Sequence, residues 1–223
     1  MRRSRKDLWC SRVSSAAGRT ADRSGGASVF PTIETKRLVL RMPTPREART
    51  MLAYYTQNRE HLEPWSPRWP DAFYTLEHWR NRLRQYREEF RADRSCRLSL
   101  FARERARGHV LGHITLSEIT RGPFQACFLG YSLDCGVLGR GLMTEALRAT
   151  IAYAFDALRL HRIMANYLPT NERSARVLRR LGFSVDGYSR DYLLIDGEWR
   201  DHVLTSLTNP QWRERRSPGL SRK

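Results

Sequence analysis

Residues 139–160 carry two apolar stripes at helical spacing. Leu142, Ala146, Ala149, Tyr153, Ala157 and Leu160 form one, and Met143, Leu147, Ile151, Ala154 and Leu158 form the other. A helix apolar on that much of its circumference has to be covered on most sides, as when it lies on a sheet. The chain enters it from a strand-like run ending in Tyr131-Ser132-Leu133, through a loop holding Gly136, Gly139, Arg140 and Gly141. A strand, a glycine-rich loop and a buried helix in that order make the core a helix-on-sheet layer.

The rest of the chain supplies the sheet and its other cover. Residues 37–42 alternate like a strand, and Pro43-Thr44-Pro45 breaks it. Thr44 with Glu47 three positions on reads as a capping box, opening a helix to about residue 56. Residues 58–74 hold three prolines and two tryptophans and read as an ordered loop. Leu76, Trp79, Leu83, Tyr86 and Phe90 predict a helix over 75–93. Strands are expected at 97–102, 110–119 and 125–133, with Gly122-Pro123 turning between the last two. A strand at 162–168, a helix at 172–181 closed by Gly182, and strands near 188–195 and 199–207 joined by Asp196-Gly197 complete the order. The expected fold is α+β: a mixed, mostly antiparallel sheet flanked by helices, in a single domain over 31–210. Residues 1–30 and 211–223 are expected to be basic, disordered tails.

Composition narrows the partners. The 223 residues carry 40 Lys+Arg against 23 Asp+Glu, a net charge of +17, and the two tails hold about half of that excess. The remainder favours a polyanionic partner: nucleic acid, a ribosome, or a phosphate-rich cofactor. No apolar stretch approaches the roughly 18 residues of a membrane span, and residues 1–29 lack the apolar segment of a secretory signal. Cys10, Cys96, Cys127 and Cys135 have no C-x-x-C spacing, so zinc and redox motifs are not indicated, and buried thiols in a reducing cytoplasm are expected. His113, His161 and His202 lack metal spacing and are assigned to structure, leaving no metal site.

The glycine loop carries the chemistry. Glycines let backbone N–H groups point into one concavity, and the helix N-terminus adds partial positive charge there. That is a seat for a pyrophosphate, with Arg140 as an added cation. It is neither a Walker A loop, since no Gly-Lys-Ser/Thr follows, nor the dinucleotide G-x-G-x-x-G, since the third position is Thr144. A second feature, Asn171-Glu172-Arg173-Ser174, opens the next helix. Capping by Asn171 accounts for it; the alternative is that Asn171 and Ser174 face a ligand.

Together these segments resemble the GNAT superfamily of N-acetyltransferases over about residues 34–208. The closer resemblance is to its RimJ-type ribosomal-protein alanine N-acetyltransferases. It is carried by NREHLEPWSP at 58–67, RGPFQACFLGYSL at 121–133, GLMTEAL at 141–147, HRIMANYLPTNERS at 161–174 and the long stretch 180–212. The resemblance implies transfer of acetyl from acetyl-CoA to a protein α-amine. The family substrate is the N-terminal alanine of the fifth small-subunit ribosomal protein. It implies pantetheine along 130–133, with Leu133 at the strand end offering an amide. It implies pyrophosphate on Leu138, Gly139, Arg140, Gly141 and Leu142, and Asn171 beside the cofactor. Ser174 is the implied acid for the leaving thiolate, with Tyr131 in the site. Asn58, Arg59, Trp65 and Trp69 are the expected substrate wall. One position departs from the family loop: Gly136 stands where Gln, Arg or Lys is usual, and Arg140 is the cation available to compensate.

The chemistry suits an α-amine. Its pKa near 7.7–8.0 leaves roughly a tenth neutral at pH 7, a penalty of about 1.4 kcal/mol, against about 4.6 for a lysine. A strong general base is not required, and none stands out among Glu118, Asp134, Asp191 and Asp201. Two other readings are a ribosome- or RNA-binding assembly factor on the same scaffold, and a small-molecule amine acetyltransferase; the stretch 188–212 argues against the latter.

Overall fold

The computed structural model describes residues 30–105 and 108–212. The tails expected at 1–30 and 211–223 lie almost wholly outside the described residues, as does Cys10. The described segment is bounded by packed aromatics. Phe30 lies against Phe90, with the Arg87 guanidinium 3.5 Å from its ring centroid. Trp212 Nε1 donates to the Arg159 carbonyl at 2.9 Å.

Eight strands form one sheet in the order β1-β2-β3-β4-β5-β6-β8-β7. They are β1 (Thr32–Glu34), β2 (Leu38–Arg41), β3 (Cys96–Ala102), β4 (Val110–Thr120), β5 (Ala126–Leu133), β6 (Arg162–Tyr167), β7 (Ser184–Ile195) and β8 (Glu198–Thr208). Every pairing is antiparallel except β5 with β6. Side chains alternate across the sheet with period two. Leu98, Leu100, Ile114 and Leu116 face α4 (Leu142–Asp156) and α5 (Glu172–Arg180) in one core. Phe101 and Val110 face α1 (Ala48–Gln57) and α3 (Leu76–Arg91) in a second core with Tyr54, Tyr55, Trp79 and Leu83. The expected fold class is the observed one.

Local chemistry sets the element ends. The Glu47 carboxylate accepts from the Thr44 amide at 2.8 Å, closing the capping box, although a 3-10 turn over Pro45–Glu47 precedes α1. Thr75 caps α3 through the His78 amide. Gly182, at φ +88°, ends α5 in a Schellman arrangement, with the Phe183 amide on the Leu178 carbonyl and the Gly182 amide on that of Arg179. Asp196 and Gly197 both have positive φ and join β7 to β8 in a two-residue hairpin.

The structure corrects four expectations. The buried helix spans Leu142–Asp156, not 139–160, because Gly139 and Gly141 are left-handed and Arg159 turns the chain at φ +58°. The segment 58–74 contains the short helix α2 (Arg59–Leu62) and 3-10 turns at Glu63–Trp65 and Asp71–Tyr74, since Pro64 falls in the first turn of one and Pro70 just before the other, where a missing N–H costs nothing. Strand β1 was not anticipated, and β7 begins four residues earlier than expected. Cys96 and Cys127 are buried, but Cys135 is exposed in the glycine loop.

Candidate active site

The one parallel pairing is where the sheet opens. The β5–β6 ladder runs from Ala126 with Arg162 to Phe128 with Met164 and stops there. Beyond it β5 stays paired with β4 through Leu133, and β6 stays paired with β8 through Tyr167. The facing edges of the two strands diverge, leaving backbone N–H and C=O groups of residues 129, 131 and 133, which point away from β4, available to an extended ligand. Gly130 sits at this edge, and a Cβ built on it would have nothing within 4 Å. The opening can therefore take a narrow chain lying along β5.

Two hydroxyls belong to the elements on either side of the opening. Tyr131 on β5 and Ser174 on α5 form a hydrogen bond of 2.7 Å. Ser174 is held in place by its own backbone, whose amide donates to the Asn171 Oδ1 at 3.0 Å. Asn171 thus caps α5 and fixes the serine in the same contact. Burial pushes the Tyr131 phenol up to about 12; its hydrogen bond with Ser174 opposes the shift, and nearby Tyr167 adds to it. The pair is therefore neutral and protonated near pH 7, able to donate a proton but not to act as a resident base.

The loop from β5 to α4 lies at the end of the opening. Gly139 at φ +74° and Gly141 at φ +72° have a backbone open only to glycine without strain, and nothing lies within 4 Å of a Cβ built at Gly139. Their freedom places the loop amides and the first turn of α4 around one concavity suited to a diphosphate. Arg140 Nη2 reaches back to the Gly136 carbonyl at 3.2 Å, so its guanidinium occupies the end of the loop that has no side chain at 136. A Cβ at 136 would lie 3.1 Å from Asp134 Oδ1, so a side chain there would require that carboxylate to shift. These features fit the pantetheine and diphosphate of a coenzyme A molecule.

The loop is braced from both sides by residues that local sequence patterns do not mark. Asn58 is 1% exposed. Its Nδ2 donates to the Tyr54 carbonyl and to Asp134 Oδ2, and its Oδ1 accepts from the Cys135 amide. Burial pushes the Asp134 carboxyl up, but hydrogen bonds from His109, Asn58 and the Gly136 amide outweigh it and hold the group below its usual range. On the other side, Glu145 in the first turn of α4 accepts from the Thr35 hydroxyl and from the Arg37 amide and guanidinium. Arg37 also donates to the Arg140 carbonyl.

The expected substrate wall is rearranged. Asn58 braces the loop and is too buried to line a slot. Arg59 is engaged by Glu63 at 2.6 Å and lies over the Tyr74 ring. Trp65 is 41% exposed, beside the Ser66 carbonyl that accepts from the Asp196 amide of the β7–β8 hairpin. Only Trp69 lines the cavity of about 360 Å³ on the α1/α3 side of the sheet, with Tyr55, Phe73, Tyr86, Arg97 and His113 among its other walls. Thr115, also in that lining, pairs with Gly130 across β4 and β5, so the cavity adjoins the open strand. Among the described residues no group of three His, Cys, Asp or Glu could hold a metal ion.

Comparison with known proteins establishes the family. The acetyltransferase (GNAT) domain family matches residues 37–184. The chain belongs to the GNAT acetyltransferases. It is 43% identical over 180 residues to the [ribosomal protein uS5]-alanine N-acetyltransferase of Escherichia coli K12, covering 81% of this chain and 92% of that protein. The crystal structure of ribosomal-protein-S5-alanine acetyltransferase from Vibrio fischeri superposes with a TM-score of 0.78 at 39% identity, over 82% of this chain and all of that one. Mycobacterium smegmatis RimJ, solved with a CoA-disulfide, gives 0.74 at 28% identity over 82% of this chain and 90% of that one. This GNAT protein is an acetyl-CoA-dependent N-acetyltransferase.

Proposed function

We propose that this acetyltransferase acetylates the N-terminal alanine α-amine of a small-subunit ribosomal protein, in the cytoplasm. The observation that carries the chemistry is the hydroxyl pair Tyr131–Ser174 beside the β5–β6 opening. The acceptor is drawn from the uS5-alanine enzyme that shares 43% identity with the chain.

Acetyl-CoA, when bound, supplies an activated acetyl thioester. The residues that would hold it are the β5 edge at 130–133, Leu138, Gly139, Arg140, Gly141 and Leu142 in the loop, and Asn171 beside it. The chain positions the two reactants and manages one proton. The β5 edge orients the thioester end and offers an amide near Leu133 to a developing oxyanion. The loop amides and Arg140 fix the diphosphate end. Ser174 carries a hydroxyl proton toward the thiol side of the opening, and Tyr131 holds that hydroxyl in register. The aromatic cavity on the α1/α3 side receives the acceptor, with Trp69 in its wall. An α-amine arrives partly neutral near pH 7, so a water-relayed proton suffices and proximity supplies most of the rate.

The test is acetylation of two peptides and a set of small amines, read by mass spectrometry with fragment ions locating the acetyl group on the peptides. They are an alanine-initiated peptide ending in lysine, its N-blocked form, and spermidine-like amines as the small-molecule comparison. One acetyl group on the alanine α-nitrogen, with the blocked peptide and amines inert, is expected. Preferred acetylation of the lysine side chain or of the amines would overturn the acceptor assignment.

A further inference from the structure

On the outer face of α1 and α3, away from the hydroxyl pair, a hollow of about 370 Å³ is lined by Arg46, Arg49, Arg80 and Arg84. Its remaining walls are Pro45, Ala48 and Leu76. All four arginines are exposed, and no carboxylate is in the lining. Among the described residues none of the four is in an ion pair, and the Arg84 guanidinium donates to the Asn81 side-chain Oδ1 at 2.8 Å. The nearest acid in sequence, Glu47, is engaged by Arg41 and Thr44. Seven other arginines, Arg37, Arg59, Arg97, Arg103, Arg121, Arg162 and Arg176, each have a carboxylate partner, and unpaired ones such as Arg148, Arg179 and Arg190 lie scattered outside the hollow. The hollow therefore gathers four like charges with no carboxylate in its lining.

We propose that this arginine-lined hollow docks the phosphate backbone of RNA. A guanidinium presents a planar fork that takes a phosphate with two parallel hydrogen bonds. The lining has no aromatic ring to stack an exposed base, and its only polar groups are guanidinium forks, which suit phosphate oxygens, so the backbone is the main contact. It also lacks the buried aromatic anchor that centres most protein–protein interfaces, which disfavours an acidic protein. The net charge of +17 extends the attraction over a long polyanion. The choice of RNA as the source of phosphate rests on the proposed ribosomal-protein acceptor; the phosphate docking rests on the arginines alone. Helix α1 joins the two sites: Arg49 near its start is about 14 Å along the axis from Asn58 at its end. RNA held in the hollow would raise the local concentration of a protein N-terminus carried on the same particle.

The test needs neither acetyl-CoA nor an acceptor. Fluorescence anisotropy with a labelled RNA hairpin is measured across a salt series for the full chain and for the variant Arg46→Ala/Arg49→Ala/Arg80→Ala/Arg84→Ala. A second variant, Arg105→Ala/Arg148→Ala/Arg179→Ala/Arg190→Ala, removes the same charge from scattered exposed positions, and circular dichroism checks that both fold. The hollow variant is expected to bind at least about tenfold more weakly and to flatten the log–log salt slope by about 3, as four lost phosphate contacts require. The scattered variant is expected to lose far less. Equal losses in the two variants would overturn the proposal, leaving only net charge. Polyglutamate binding as tightly as RNA, with the same dependence on the four arginines, would overturn it in favour of an acidic protein. Acetylation of a free alanine peptide by the hollow variant, measured separately, is expected to be unchanged, so failure of either reading leaves the other standing.

Discussion

A single hydroxyl illustrates how much of the chemistry is local. Ser174 sits in the first turn of α5 because Asn171 caps that helix, and its contact with Tyr131 fixes its direction. Capping and the proposed proton transfer use the same geometry, which is why sequence alone left them as alternatives. Removing the hydroxyl with Ser174→Ala leaves the cap intact and is expected to lower kcat about tenfold to a hundredfold, the scale of one general acid. The check is a thiol-release assay at saturating acetyl-CoA, with KM for acetyl-CoA changing little. A loss under about twofold would remove Ser174 from proton transfer. Tyr131 stays protonated up to about pH 12 through burial, so the acid limb of the rate profile is expected to follow the acceptor amine, not the phenol.

At the scale of elements, the glycine loop and α4 were legible because their signals are contiguous: two apolar stripes, three glycines and one cation. The capping box at Thr44, the C-terminal Gly182 and the Asp196-Gly197 turn were legible for the same reason. What was not legible depends on contacts across the sheet. Asn58 lies 76 residues before Asp134, and Arg37 lies 108 before Glu145, yet these pairs hold the two sides of the loop. No periodicity marks them, since only the strand order brings them together. The aromatic-rich segment 58–74 suggested a substrate wall, but Arg59 is held by Glu63 and Asn58 by the loop, leaving Trp69 in the cavity. Asn58→Ala removes three hydrogen bonds and strands the Cys135 amide and part of the Asp134 carboxylate. Urea unfolding is expected to show a loss of about 2–3 kcal/mol, with a raised KM for acetyl-CoA in the fraction that remains folded. An unchanged KM would mean the loop keeps its shape without this brace.

For the whole molecule, two cores on opposite faces of one sheet leave the opening between β5 and β6, proposed for the cofactor, and the cavity on the α1/α3 side, proposed for the acceptor. His113 lies on that side, 6% exposed. Burial, and then the charges of Arg97 and Arg82, lower its pKa to about 3. Between pH 6.5 and 3 the unfolded chain binds a proton that the folded chain does not. This contribution to stability is therefore complete above about pH 6.5 and is lost as pH falls toward 3. Between pH 7 and pH 5 it amounts to about 2 kcal/mol. Urea unfolding of wild type and His113→Asn at the two pH values is expected to differ by that amount in pH sensitivity. Equal pH dependence would place the imidazole in contact with water.

The central claim is that acetyl-CoA lies in the β5–β6 opening with its diphosphate on the glycine loop. Hydrogen–deuterium exchange with and without acetyl-CoA tests it directly. Slowed exchange is expected in 129–133 and 138–143, with no change at 46–49 and 80–84. No protection in the first two segments, or protection confined to the arginine hollow, would contradict it.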